Sequence, residues 1–447
     1  FCNVQAILGQ EIKISQKEEF NFYRDQVIVL GKYKGLTVVY KNHASIGELL
    51  FYDSALQKTQ VSTLAFLPEK ASNIRFGCSE QDILICYQLH DKKQQAIYIN
   101  KLRNDLTWQE PTEICTNWKK ESNAKNNATI QFSEDQRSVL VSTSYMDDGI
   151  LYLLANTYDS QLQAISTIQQ AFTDKNYLRL YSATLTNEGA IALLATNQTV
   201  NSKANKEEVY LLYASVGSTL LDTIRLSIGN YSVQDICLLQ HHEQQQIYMA
   251  AFFADGKYSS AVGLYYCVFS EEQKKIVATH FTPLALQSVG TKNDLRNLTL
   301  KQISVSKQGH IECITEKSSH YSRTLSSLQP MVGSSILFNN LQDNARIVQE
   351  YVFEEIVLFN IKADGTLAWS QTILKDQTTQ DDEGVYSSYV CLQYPNGKVY
   401  FFNDLSGRAW RLLGAYVSSA GELSVKELQT YDAMRNWNVL VSQGKQI

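Results

Sequence analysis

The residues in this chain with most chemistry to offer are seven histidines, eight cysteines and the acidic run "YMDDG" at 145–149. Histidine and cysteine are the usual ligands of zinc, and a low-pKa cysteine is a nucleophile. The histidines are His43, His90, His241, His242, His280, His310 and His320, and none stands in HExxH or another ligand spacing. "QHHEQQQ" is polar and follows an apolar strand, so it reads as a solvated turn. The cysteines are Cys2, Cys78, Cys86, Cys115, Cys237, Cys267, Cys313 and Cys391. No CxxC pair occurs, and most lie in apolar runs. They read as buried thiols acting as small hydrophobes, with Cys78 and Cys86 the nearest pair for a bridge.

Paired carboxylates at Asp147 and Asp148 would suit Ca²⁺ or general-acid work, but they sit between two apolar strands and read as a hairpin turn. "IKADGTLAW" (361–369) resembles the Asp-box of sialidase-like propellers, with altered spacing, and the tryptophan-docking motif of quinoprotein propellers in a single incomplete copy. As a hairpin, its Asp-Gly supplies the turn and Trp369 packs just beyond it, as Trp108 does after Leu106. No GxSxG, P-loop or strand-to-helix GxGxxG is present. No catalytic residue, metal ligand or cofactor is assigned from these patterns. Propeller sites are assembled from distant residues, so missing motifs argue only weakly against catalysis.

Composition narrows the classes. The chain has 447 residues, 44% hydrophobic and 19% charged, with formal net charge −5. It can bury a large core, and it carries no basic footprint for nucleic acid. Its longest apolar stretches, such as "SAVGLYYCVF", are far short of the roughly 18 residues of a membrane helix. "FCNVQAILG" at 1–9 reads as the remnant of a secretory signal, with small Gly9 at the cleavage position and the mature domain running over 10–447. The other reading is a first strand and a cytosolic chain.

What must position any site is a repeat. "YDSALQ" at 52–57 recurs as "YDSQLQ" at 158–163. With the Leu as pivot, an apolar strand, a polar turn and a second strand recur at Leu56, Leu106, Leu162, Leu220, Ile276, Leu367 and Leu423. Five of the six intervals lie near 55 residues. A second ladder of polar turn and strand starts at Thr37, Ile83, Val139, Ile191, Ile247, Ile311 and Val399. Each unit holds about four short strands rich in Val, Ile, Tyr and Thr with period-two alternation. Four antiparallel strands repeated seven times predict an all-β, seven-bladed β-propeller, eight blades being the alternative. Strands at 11–15 and 437–441 would close the ring.

Both ladders stretch at the same place. About 30 residues are inserted between the second and third strands of blade six, at 318–348. Long connections in compact domains are often functional. His320, Tyr321 and Arg323 in this segment are the candidate binding residues. The insertion would cap a face or grip a partner, or simply extend a hairpin.

The "YDSxL" turns, "EEIVLFNIKADGTLAWSQTIL" and "GKVYFFND" resemble uncharacterised exported propeller-like proteins of Bacteroidota, of WD40/YVTN-like architecture. The resemblance implies the fold and a place outside the cytoplasm, in periplasm or at the cell surface, and brings no site residues. The expectation is a monomeric, non-enzymatic module of the bacterial envelope that binds a protein or glycan on one face. The alternatives are a glycan-acting enzyme with carboxylates at the channel, and a lectin-like binder using some of the 26 tyrosines.

Overall fold

A computed structural model describes residues 26–43, 46–90, 95–115, 128–148, 150–172, 177–198, 207–256, 260–284, 295, 297–306, 308–325, 346–380, 384, 387–404 and 409–432. The expected signal remnant and both expected ring-closing strands lie outside these residues.

The described strands form seven antiparallel sheets, each built on a meander of four strands, to which blade six adds a fifth, and the fold is a seven-bladed β-propeller. Blade one is Gln26–Tyr33, Leu36–His43, Ile46–Tyr52 and Lys58–Thr63. Blade two is Ser72–Cys78, Ile83–His90, Gln95–Lys101 and Thr112–Cys115. Blade three is Thr129–Phe132, Val139–Asp147, Ile150–Tyr158 and Ala164–Phe172, and blade four is Tyr177–Leu185, Ile191–Gln198, Glu207–Ala214 and Asp222–Arg225. Blade five is Ser232–His241, Gln246–Ala254, Gly263–Ser270 and Lys275–Pro283. Blade six is Leu298–Val305, Ile311–Leu325, Arg346–Ile361 and Leu367–Ile373, with a fifth strand, Gln377–Gln380. Blade seven is Val390–Tyr394, Gly397–Asp404, Ala409–Ser418 and Leu423–Asp432.

The chain divides into two compact units. One comprises Phe1–Ala250, Tyr265–Thr279 and Ile447, and the other Ala251–Leu264 and His280–Gln446. Within the first, the opening strands of blades one to five lie beside one another in order.

Period-two alternation explains how the blades pack. Along "ILICY" of blade two, Ile83, Ile85 and Tyr87 join Leu30, Tyr40, Leu49 and Phe51 of blade one. Leu84 and Cys86, pointing the other way, join Ile130, Phe132, Val139 and Val141 of blade three. A strand covered on both faces needs apolar residues at every position, which is why the second strands read as unbroken hydrophobic runs. Each such Ile or Leu contributes roughly 1.5–3 kcal/mol by leaving water. The same arrangement in the second unit puts Ile314, Ile356 and Leu358 of blade six against Tyr400, Phe402 and Ala415 of blade seven. Fourth strands, by contrast, are mostly exposed, as in "KIVATHFTP" of blade five.

The repeated turn joins third to fourth strands, as expected. Asp53 Oδ1 accepts hydrogen bonds from the Ala55 and Gln57 amides at 2.9 Å, and Asp159 Oδ1 does the same for Gln161 and Gln163. The pivot leucine, however, does not start the outer strand. Leu56, Leu106 and Leu162 sit inside the turn at φ of 58°, 63° and 63°, and in blade one the next strand begins at Lys58. The equivalent left-handed position is Gly365 and Gly421 in blades six and seven, whose amides close the turn on the carbonyls of Lys362 and Ser418. Leu367 and Leu423 are true strand starts, so they occupy a different place in the turn. A left-handed residue closing a type I turn forms the bulged hairpin.

Trp108 and Trp369 are therefore not equivalent either, lying two and four residues past that position. Both are packing residues. Trp108 Nε1 donates to Ser62 Oγ at 3.2 Å, and Trp369 Nε1 donates to Ser419 O at 3.2 Å.

Candidate functional site

Blade six departs from the other six where its second and third strands run on past the sheet. Ile311–Glu316 pairs with Asn360, Ile361 and their neighbours as in any blade. At Lys317 the register shifts, with Glu316 opposite Ile356 and Ser318 opposite Phe353. Lys317 thus faces two residues, Glu354 and Glu355, and its Nζ lies 2.9 and 3.7 Å from their carboxylates. A bulge bends and twists the strand that follows it. Beyond it, Ser318–Leu325 pairs with 346–353, so both flanks of the expected insertion are strands; residues 326–345 lie outside the described set. Gln377–Gln380 folds back on the other side of the third strand, pairing Phe353 with Gln377 and Glu350 with Gln380. The result is a three-stranded ribbon continuing blade six.

A buried polar mount sits where ribbon meets blade. Glu316 is fully buried, and its Oε1 lies 2.9 Å from Lys375 Nζ. That contact is an ion pair, as Oε1 receives no aligned hydrogen bond. Glu316 Oε2 accepts from Ser388 Oγ at 2.8 Å and lies 3.7 Å from Lys301 Nζ. Lys301 is the extra residue of a bulge in blade six's first strand, between Leu300 and Gln302. Lys375 donates to Gln377 Oε1 at 2.8 Å, and Gln377 Nε2 donates to the Asn403 carbonyl at 2.7 Å. Both ammonium groups also lie over the Phe353 ring, at 5.5 and 5.9 Å. Burial pushes the Lys375 ammonium below its ordinary range, while the Glu316 carboxylate acts against that shift. The mount ties the second strand, the fold-back strand and blade seven into one network.

The candidate binding residues lie on the ribbon. His320 is exposed and stacks on Tyr351 directly across the ladder, with centroids 4.5 Å apart and planes 12° apart. Ser322 Oγ donates to Gln349 Oε1 at 2.9 Å one step along. Tyr321, 53% exposed, belongs to the opposite face by strand alternation. Arg323 pairs through its backbone with Val348. The ribbon therefore brings the three together on one strand and puts His320 and Tyr321 on opposite faces of it.

Elsewhere, "YMDDG" is the expected hairpin, with Asp147 opposite Ile150 and Asp148 at φ 50°. "QHHEQ" is a turn with a single 3₁₀ stretch at His242–Gln244, where His242 Nδ1 lies 3.1 Å from Glu188 Oε1. Cys78, Cys86, Cys237, Cys267, Cys313 and Cys391 are free thiols. Burial pushes Cys391 up to about 11 and Cys267 to about 12, which disfavours thiolate and nucleophilic chemistry. Among the described residues no group of three or more His, Cys, Asp or Glu has metal-holding geometry, and no helix is long and apolar enough to cross a membrane.

Glu271 carries a pH signature. It accepts from Tyr213 and from Gln240, both at 3.2 Å, and burial raises its pKa. The folded state then holds this proton more tightly than the unfolded chain. Its contribution is fully present below the ordinary glutamate range and is lost as pH rises through the raised value. Glu271→Gln, which keeps the acceptor oxygen, is expected to flatten that decline. Thermal unfolding of both forms from acidic to neutral pH checks it, and parallel curves would exclude Glu271 as the source.

The sequence reading missed Glu316, Lys375, Lys301, Gln377 and Ser388. Glu316 and Lys375 are 59 residues apart, and the only local signal is a carboxylate inside the strand run "IECITE".

The fold and this ribbon define a propeller with one elaborated blade. No family model matches the chain, and no curated protein matches it. Similar solved structures include a prolyl endopeptidase (12% identity, 89% of this chain and 55% of that one, TM-score 0.39). Prolyl oligopeptidase B from Galerina marginata is another (8%, 92% and 51%, TM-score 0.48). A third is dihydro-heme d1 dehydrogenase NirN (12%, 94% and 76%, TM-score 0.35). The chain spans about half the length of the first two. Similarity at this level carries no functional inference.

Proposed function

We propose that this chain is a non-enzymatic binding module of the bacterial envelope, outside the cytoplasm, and that the blade-six ribbon is the element that holds its protein or glycan ligand. The observation that carries the reading is the mount. A buried Glu316–Lys375 pair with Lys301, Gln377 and Ser388 fixes a ribbon found on blade six alone among the described sheets. Buried charge is costly to assemble, and its best-attested use is to specify one arrangement. Here it would hold His320, Tyr321 and Arg323 at a set position off the blade. A lectin-like variant draws on one further feature, the stacked His320–Tyr351 rings beside the polar Ser322–Gln349 pair, which is the mixture that sugar rings favour.

The test is recovery of a partner from envelope extract by the full chain and by a form in which 319–352 is replaced by a short turn. Recovery by the full chain alone supports the ribbon's role. Equal recovery by both removes it.

A further inference from the structure

We propose that Asn100 and Tyr33 bind buried water in the seam between blades one and two, and that this water bridges the two sheets. The inference is independent of the ribbon.

Asn100 lies in the third strand of blade two, opposite Ile85. It alternates with Tyr98 and Leu102, which pack with Ile85 into the core shared with blade one, so its side chain belongs to that face. The residue is 0% exposed, and neither its Oδ1 nor its Nδ2 has a hydrogen-bond partner in the protein. An asparagine amide brings two N–H donors and a carbonyl acceptor, and taking them out of water without partners is costly. Other buried amides here are satisfied. Gln88, equally buried, accepts at Oε1 from the Ala128 amide at 3.3 Å and from Asn73 Nδ2 at 3.4 Å. Gln377 is held at both ends. Among the described residues Asn100 is the one side chain with two orphaned polar atoms.

Tyr33 of blade one is in the same state. It is 2% exposed in that shared core, and its hydroxyl has no partner. The ring is fixed against the end of blade two that carries Asn100. It lies 6.2 Å from the Phe51 ring and 5.0 Å from Lys34 Nζ. That ammonium donates at 2.9 Å to Asn104 Oδ1, in the turn that follows the Asn100 strand. The Lys34 amide donates to the Glu80 carbonyl at 3.0 Å.

The chemistry selects water. The occupant must donate to the Asn100 carbonyl oxygen, accept from its N–H groups and exchange a bond with a hydroxyl. An ion would lack a counter-charge, because the described buried charges, Glu316, Lys375 and Lys398, all belong to blades six and seven. Phe51, Ile83, Ile85 and Leu102 in this core are each at most 2% exposed, which closes it to larger solutes. Satisfying such orphaned groups is the usual role of buried water.

Two measurements test the bridge. A high-resolution crystal structure of the full chain should show a solvent peak within about 3.2 Å of both the Asn100 amide and the Tyr33 hydroxyl. Asn100→Leu and Tyr33→Phe each remove one anchor and strand the other. Each should lower the urea midpoint by roughly 0.3 M or more. The double variant releases the water altogether, so its loss should be smaller than the sum of the two.

The opposite sign overturns the proposal. A dry, unpaired amide is relieved by an apolar residue of similar size, so Asn100→Leu would then raise the midpoint. Unchanged midpoints, additive losses, or a peak that reaches only one of the two groups would sink the bridge equally.

Discussion

Glu316→Ala is expected to destabilise the second compact unit by about 3–5 kcal/mol, the cost of leaving a buried charge without its partner. The carboxylate is fully buried and faces Lys375 at 2.9 Å, Ser388 at 2.8 Å and Lys301 at 3.7 Å. Its removal strands a Lys375 ammonium that burial already disfavours. Replacing both members by apolar residues of similar size, Glu316→Leu with Lys375→Met, removes the charges together and is expected to restore most of the loss. Urea unfolding of the two single variants and the double one gives the coupling directly. Additive losses would mean that the pair is not a unit.

Gly263→Ala should cost about 3 kcal/mol, near the upper end for overpacking a core site. Gly263 opens the third strand of blade five, where an added Cβ would stand 2.3 Å from the Thr282 carbonyl oxygen and 2.5 Å from Phe253 Cε1. The oxygen belongs to the adjacent strand's backbone, which cannot move without breaking its own ladder. Gly217, left-handed on an exposed turn with open space around its Cβ position, separates the two roles of glycine. Gly217→Ala meets conformational strain alone, costing roughly 1–2 kcal/mol. Urea unfolding of both variants checks the order, and a larger loss at Gly217 would refute it.

The blades were legible because their physics is local. Alternation marks the strands, and an Asp that bonds the amides two and four residues on marks the turn between third and fourth strands. The pivot misled because leucine stands at the left-handed position in three blades, while in blades six and seven that position is Gly365 and Gly421. Aligning on leucine slid those turns by two residues and made Trp108 and Trp369 look equivalent. The stretch of blade six was visible as a long interval, but its ribbon was not. "KSSHYSRTL" is Ser-rich, so it lacks the apolar alternation that marks a strand, and its pairing with "RIVQEYVF" spans the intervening 326–345. The mount was illegible for a stronger reason. Its members come from separate strands and from the start of blade seven, and only folding brings them together.

The most direct test of the central claim is the affinity of the full chain for the partner it recovers, compared with His320→Ala/Tyr321→Ala/Arg323→Ala. Truncating residues that anchor an interface costs at least about 2 kcal/mol, roughly thirtyfold in Kd. A loss of that size with an unchanged unfolding midpoint is the predicted result. Unchanged affinity would contradict the assignment of binding to this ribbon.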